Sequence, residues 1–114
     1  MNINPTQEAI DQLLYRFPSQ QPTIKIVYDT EGCGCAVNGV VLLWHTRSMS
    51  SEDRIGYDQE VRIVYAARQE VFFEDQLKLD YNSIGQAFVL KSNNQIYNAA
   101  LSIIDKTGGI SVWE

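Results

Sequence analysis

Basic residues are scarce in this chain: nine Lys and Arg stand against fourteen Asp and Glu, for a net charge of −5. That balance excludes the summed positive potential that non-specific binding to nucleic acid or to an anionic membrane needs, so neither is expected as a partner. Long apolar runs are also missing. The longest nearly uncharged apolar stretch, Ala36 to Trp44, falls far short of the roughly 20 residues that cross a bilayer, and no basic segment leads into an apolar run near Met1. A cytoplasmic protein is the expectation. Cysteine is limited to Cys33 and Cys35, too few for the disulfide framework of a small secreted domain, which fits a reducing compartment. Histidine occurs once, at His45, and no serine-nucleophile motif accompanies it, so a Ser-His-Asp or Cys-His hydrolase has no basis. Neither GxxxxGK[ST] nor GxGxxG occurs, which removes the common phosphate and dinucleotide cradles. The chain reads as a non-enzyme.

What is present is an ordinary globular composition: 114 residues, 45% apolar and 20% charged, enough for one domain spanning 1–114 around one core. Asn4-Pro5-Thr6-Gln7-Glu8 offers an N-cap and a proline in the first helical turn, and Ala9, Ile10, Leu13, Leu14 and Phe17 form an apolar stripe that Pro18 ends. The spacing predicts a helix over about 4–17. From Thr23 the period changes and β-branched and aromatic residues dominate. Strands are expected at 23–28, 37–44, 60–66, 70–73, 77–81, 86–90 and 96–103, although the alanines of the last stretch also suit a helical turn. Arg47 to Asp58 is polar and reads as a long exposed loop, and Gly108-Gly109 reads as a turn before a final strand carrying Ile110 and Trp113. The expected fold is mainly β, a compact sandwich or pseudo-barrel with one N-terminal α-helix and a β-rich core over about 23–114.

The most informative segment is Asp29-Thr30-Glu31-Gly32-Cys33-Gly34-Cys35. Cysteines at i and i+2 close only a small strained ring, whereas their thiolates can turn toward one metal, and the flanking glycines permit positive φ and close approach of an inorganic group. Two thiolates fill half of a four-coordinate site, so closure needs other ligands or a second subunit. The plainer alternative is a glycine-rich turn that happens to hold two small residues. His45 suits a metal ligand by chemistry, but a single histidine at a strand end is more often a hydrogen-bonded spectator. Carboxylates at Glu52-Asp53, Asp58 with Glu60, and Glu74-Asp75 match no calcium-loop spacing and read as solvated charge that protects strand edges. Six tyrosines with Trp44 and Trp113 could line an interface, and core packing explains them more simply.

Ile24-Lys25-Ile26-Val27-Tyr28 followed by Gly32-Cys33-Gly34 resembles the strand and Gly-Cys-Ser-Gly loop of the HesB-like proteins, the A-type iron-sulfur cluster assembly carriers. Gln76-Leu77-Lys78-Leu79-Asp80-Tyr81, leading to Gln86-Ala87-Phe88-Val89-Leu90-Lys91-Ser92-Asn93-Asn94, resembles the same family's Leu-Asp-Phe or Leu-Asp-Tyr strand and its Gly-Phe-x-φ-x-Asn-Pro-Asn segment, φ being apolar. The resemblance runs from about residue 4 to about 104. It implies a mostly β domain whose loop cysteine, here Cys33, helps to bind iron or a [2Fe-2S] or [4Fe-4S] cluster across a homodimer, for delivery to apo iron-sulfur proteins. Typical members complete the site with a C-terminal Cys-Gly-Cys. This chain has no cysteine after Cys35. Cys35 can compensate, since two subunits each giving Cys33 and Cys35 supply four thiolates; the other course is that cluster chemistry was lost and the fold kept as a cysteine-independent interaction or ligand-binding module. A redox-sensing thiol pair is a third reading, and soft thiolates accept zinc as well as iron.

Overall fold

The computed structural model describes residues 1–18, 21–29, 40–47 and 49–105. In chain order these form β1 (Asn2–Pro5), α1 (Gln7–Arg16), β2 (Thr23–Asp29), β3 (Val40–Thr46), β4 (Asp53–Asp58), β5 (Arg62–Ala66), a 3₁₀ helix (Ala67–Phe72), β6 (Gln76–Asn82), β7 (Ala87–Lys91), β8 (Ile96–Leu101) and β9 (Ile103–Asp105). Two mixed sheets result, one ordered β1-β6-β7-β8 and the other β4-β5-β2-β3-β9. Alternation along β6 shows how they face one another: Leu77, Leu79 and Tyr81 are buried while Gln76, Lys78 and Asn82 are exposed, the period of two that a half-buried strand requires. Those residues join Phe88 and Leu90 of β7, Ile24 and Ile26 of β2, Leu43 of β3, Ile63 and Tyr65 of β5, and Ala9 and Leu13 of α1 in one apolar cluster. The mainly β expectation with an N-terminal helix therefore holds.

The helix starts later than its sequence pattern predicts. Thr6 is the cap, extended at φ −75° and ψ 162°, and its hydroxyl accepts the Ala9 N–H at 3.2 Å. Asn4 and Pro5 belong instead to β1, which pairs in parallel with β6 from Asn2↔Gln76 to Pro5↔Leu79. Proline is tolerated there because β1 is an edge strand. The cap is itself anchored across the fold: the Thr6 N–H donates to the Leu79 carbonyl at 2.9 Å and the Thr6 hydroxyl to Asp80 Oδ1 at 2.9 Å.

Three further expectations are corrected. Residues 47–58 are not one long loop, because Asp53–Asp58 is the edge strand β4; its polar composition reflects an outer edge exposed to solvent rather than a lack of pairing. Residues 70–73 are not a strand: 67–72 wind into the 3₁₀ helix, with Val71 83% exposed and Phe72 47% exposed. The stretch 96–103 divides at Ser102, with β8 in one sheet and β9 in the other. The first part of the strand expected at 37–44 and the turn and strand expected after Gly108 lie outside the described residues. The tyrosines divide as well: Tyr65 and Tyr81 are in the core, and Tyr15 is exposed.

The pairing of β4 with β5 shifts register between Ile55 and Tyr57, and Gly56 is the residue passed over. A Cβ at Gly56 would lie 2.5 Å from Cδ1 and 2.9 Å from Cγ1 of Ile3, a buried side chain of β1. Glycine thus lets the edges of the two sheets approach at this corner.

Candidate functional site

Cys33 and Cys35 lie outside the described residues, and the structure defines the stem that carries their segment. β2 and β3 pair antiparallel without a register shift from Thr23↔Thr46 to Asp29↔Val40, so residues 30–39 connect adjacent register positions. The stem outruns its neighbours. On one flank β5 accompanies β2 only as far as Ile26↔Tyr65, and on the other β9 meets β3 first at Leu43↔Ile103. Ile26 and Leu43 are themselves partners, so the pairs Val27↔Leu42, Tyr28↔Val41 and Asp29↔Val40 project beyond the flanking strands.

Backbone groups at the Tyr28↔Val41 pair would face outward without partners, yet both flanks are closed by side-chain amides. The Tyr28 N–H donates to Gln69 Oε1 at 3.0 Å, and Gln69 Nε2 donates to the Tyr28 carbonyl at 2.9 Å, so the amide bonds as a neighbouring strand residue would. On the β3 side, Asn98 Nδ2 donates to the Val41 carbonyl at 2.7 Å. The 3₁₀ helix delivers Gln69, and an irregularity in the β7–β8 pairing lies at Leu90↔Asn98. Aromatic rings support the β2 side: Tyr28 stacks on Phe72 at 4.2 Å and meets Phe73 edge-on at 6.3 Å, and Phe73 lies 5.3 Å from Tyr97. Sequence reasoning did not single out Gln69 or Asn98, because a lone amide in a short strand or turn carries no periodic or motif signal.

His45 is at the other end of β3, roughly 17 Å along the strand from Val40 at about 3.3 Å per residue. Its Nδ1 lies 3.3 Å from Asp105 Oδ1 and its ring stacks on Phe17 at 3.8 Å. The carboxylate groups are likewise engaged. Glu52 pairs with Arg68 at 3.1 Å, Asp53 with Lys25 at 3.0 Å, and Asp58 accepts from Gln21 at 2.7 Å. Tyr57 donates to Glu60 at 2.7 Å, which raises the phenol to about 12. Among the described residues no three His, Cys, Asp or Glu side chains gather in a way that could hold a metal ion.

Glu74 organises the turn that carries Ser92-Asn93-Asn94. Its carboxylate accepts from Ser92 Oγ at 2.8 Å and from Asn94 Nδ2 at 2.8 Å, and these bonds, with a weaker one from Gln95, hold it below the usual carboxylate range. Asp80 is held low by a balance. Burial pushes its carboxyl up, but the Tyr81 N–H, the Thr6 hydroxyl and the charges of Lys91 and Lys78 outweigh that and depress it. A depressed folded pKa means a stabilising contribution that is complete above the unfolded aspartate value and lost as pH falls through the folded one. The melting-temperature gap between wild type and Asp80→Asn is therefore expected to be largest near neutrality and to narrow below about pH 4. A gap that stays constant through this range, in thermal melts followed by circular dichroism, would contradict the assignment.

The sequence profile of the iron-sulphur cluster biosynthesis family matches residues 1–105. The uncharacterized protein YqkB of Bacillus subtilis (strain 168) is 31% identical over 109 residues, covering 93% of this chain and 100% of that one. Among solved structures, a crystal structure assigned to Fe-S biosynthesis from Lactobacillus acidophilus superposes with a TM-score of 0.70 at 17% identity, over 92% of this chain and 90% of that one. IscA with the [2Fe-2S] cluster gives 0.60 at 22% identity, over 81% and 83%. The chain therefore belongs to the iron-sulphur cluster biosynthesis family, the HesB-like proteins, and has the fold of these solved structures.

Proposed function

We propose that this protein is a cytoplasmic carrier that receives iron or an iron-sulfur cluster on the thiolates of Cys33 and Cys35 and passes it to apo iron-sulfur proteins. The observation that carries the reading is the Gly-Cys-Gly-Cys segment between two paired strands in a chain of this family. Asp29 and Val40, which flank the segment, are paired register partners on a stem that is hydrogen-bonded on both flanks. Thiolate is the ligand that iron-sulfur clusters take. Delivery proceeds by exchange: a thiolate of the acceptor replaces a carrier thiolate on iron, with no change in oxidation state and no catalysis. Four thiolates require two copies of the chain, and a homodimer sharing one cluster meets that need in the absence of a C-terminal Cys-Gly-Cys.

Anaerobic reconstitution with ferrous iron and sulfide tests the reading, scored by visible absorption and by iron and sulfide per chain. The wild type is expected to hold one cluster per two chains, and Cys33→Ser/Cys35→Ser to hold none. Equal iron in both proteins overturns the carrier. The second reading is an interaction module independent of the cysteines, and Val71 and Phe72, exposed on the 3₁₀ helix next to the stem, favour it. A wild type that takes up no iron would move the reading there.

A further inference from the structure

We infer that the end of the 3₁₀ helix and the turn after it form a docking ridge for a short basic segment of a partner protein. The segment sets an apolar side chain on Val71 and Phe72 and a lysine or arginine against Glu74 and Asp75. The inference goes beyond the carrier reading and uses neither cysteine. Its apolar half is exposure that the fold does not need: Val71 is 83% and Phe72 47% exposed. The ridge is rigid all the same. Phe72 stacks on Tyr28 at 4.2 Å, the Phe73 N–H closes the turn onto the Glu70 carbonyl at 3.1 Å, and the Phe73 ring packs against Tyr28 and Tyr97. A preformed apolar surface loses little entropy when it is covered, and a β-branched valine projecting from one turn brings the fold neither helix propensity nor burial.

Charge sets the chemistry of the partner. Phe73, Glu74 and Asp75 line an open cleft of about 450 Å³ with Gln76, Asn93 and Asn94, and among the described residues no cationic side chain lines it. Glu74 is held in its charged form by neutral donors, Ser92 Oγ and Asn94 Nδ2. Among the described residues neither Glu74 nor Asp75 forms an ion pair. Glu70, at the start of the ridge, lies 3.2 Å from the Met1 ammonium and adds little net charge. Two carboxylates beside an aromatic ring suit a guanidinium or an ammonium, which gains charge-assisted hydrogen bonds and a ring contact together. The same acid repels acidic partners and anionic lipid, and the net charge of −5 steers basic partners inward. Residues 70–75 are far fewer than the roughly 20–30 that a standard interface uses on each side, which fits a short segment rather than a globular face.

The probe is a displayed library of random peptides selected on the wild-type protein, its best binders then titrated by fluorescence anisotropy. Those binders are expected to pair lysine or arginine with a leucine or an aromatic residue. Their affinity should fall roughly tenfold for Val71→Ser and for Asp75→Lys, two exposed positions whose change leaves the fold intact, as circular dichroism checks. Asp11→Lys makes the same charge change on the exposed side of α1 and is expected to bind as the wild type does. A selection without binders, binders that lack basic residues, or equal binding by Val71→Ser and Asp75→Lys overturns the inference. So does a wild-type dimer that Val71→Ser turns into a monomer in sedimentation, since the ridge then belongs to a second copy. Cys33→Ser/Cys35→Ser should bind the peptides normally, so a failed docking test leaves the carrier reading standing, and failed iron uptake leaves the docking ridge.

Discussion

Lys25→Met is expected to cost about 3 kcal/mol of unfolding free energy in urea, a large share of the stability of a domain this size. Lys25 Nζ lies 3.0 Å from Asp53 Oδ1, with the Lys25 side chain 17% exposed and that of Asp53 only 4% exposed. The ammonium approaches Oδ1 without hydrogen-bonding alignment, so the contact is one of charge, while Asp53 Oδ2 accepts the Ser50 N–H at 2.9 Å. Methionine keeps the stem that runs toward Trp44, over whose ring the ammonium lies at 5.6 Å, and removes the cation. A nearly buried carboxylate is then left with one backbone donor. Because the cost is that of an unpaired charge, Lys25→Met/Asp53→Asn should recover most of it; an additive double variant in the same urea titration would show that the pair is not the cause.

Phe88→Ala is expected to be at least as damaging, at about 3–5 kcal/mol. Phe88 is 1% exposed, meets Tyr81 edge-on at 4.9 Å, and carries the Arg16 guanidinium 5.2 Å above its ring. Removing the ring opens a cavity in the core over the buried face of β6 and β7 and strips the end of α1 of a cation–π contact. Phe88→Leu fills much of the space and should cost distinctly less. A similar loss for both substitutions in urea denaturation would mean the cavity closes by relaxation and the ring contacts contribute little.

The contrast between strands that were legible and those that were not has a physical origin. β6 and β7 are readable because one face of each is buried, which forces Leu77, Leu79 and Tyr81 to alternate with polar residues. β4 escapes notice because it is a sheet edge, where solvent rather than the core selects Arg54 and Asp58. The helix stripe is legible, but its start is not: Pro5 suits a first helical turn as well as an edge strand, and the choice is made by pairing with β6, far away in sequence. At the site, Cys33 and Cys35 stand out as a motif, whereas Gln69 and Asn98 matter only through where β5, β9 and the 3₁₀ helix stop. His45 illustrates the converse: its chemistry suits a ligand, and the structure gives it Asp105 and Phe17 at the other end of β3.

The pairing of β1 with β6 has a consequence for the order in which the chain acquires its shape. Thr6 and Asp80 are 74 positions apart, and among the described residues β1 pairs with β6 alone. As the chain leaves the ribosome, at about 5–20 residues per second, its first strand and the cap of its helix wait several seconds for the residues they dock against. The amino end, synthesised first, is thus among the last parts to settle, and closing so long a loop makes that docking a slow step. Until β6 arrives, Ile3 and the apolar stripe of α1 stay uncovered, which makes this interval the one in which the nascent protein is most open to chaperones and to self-association.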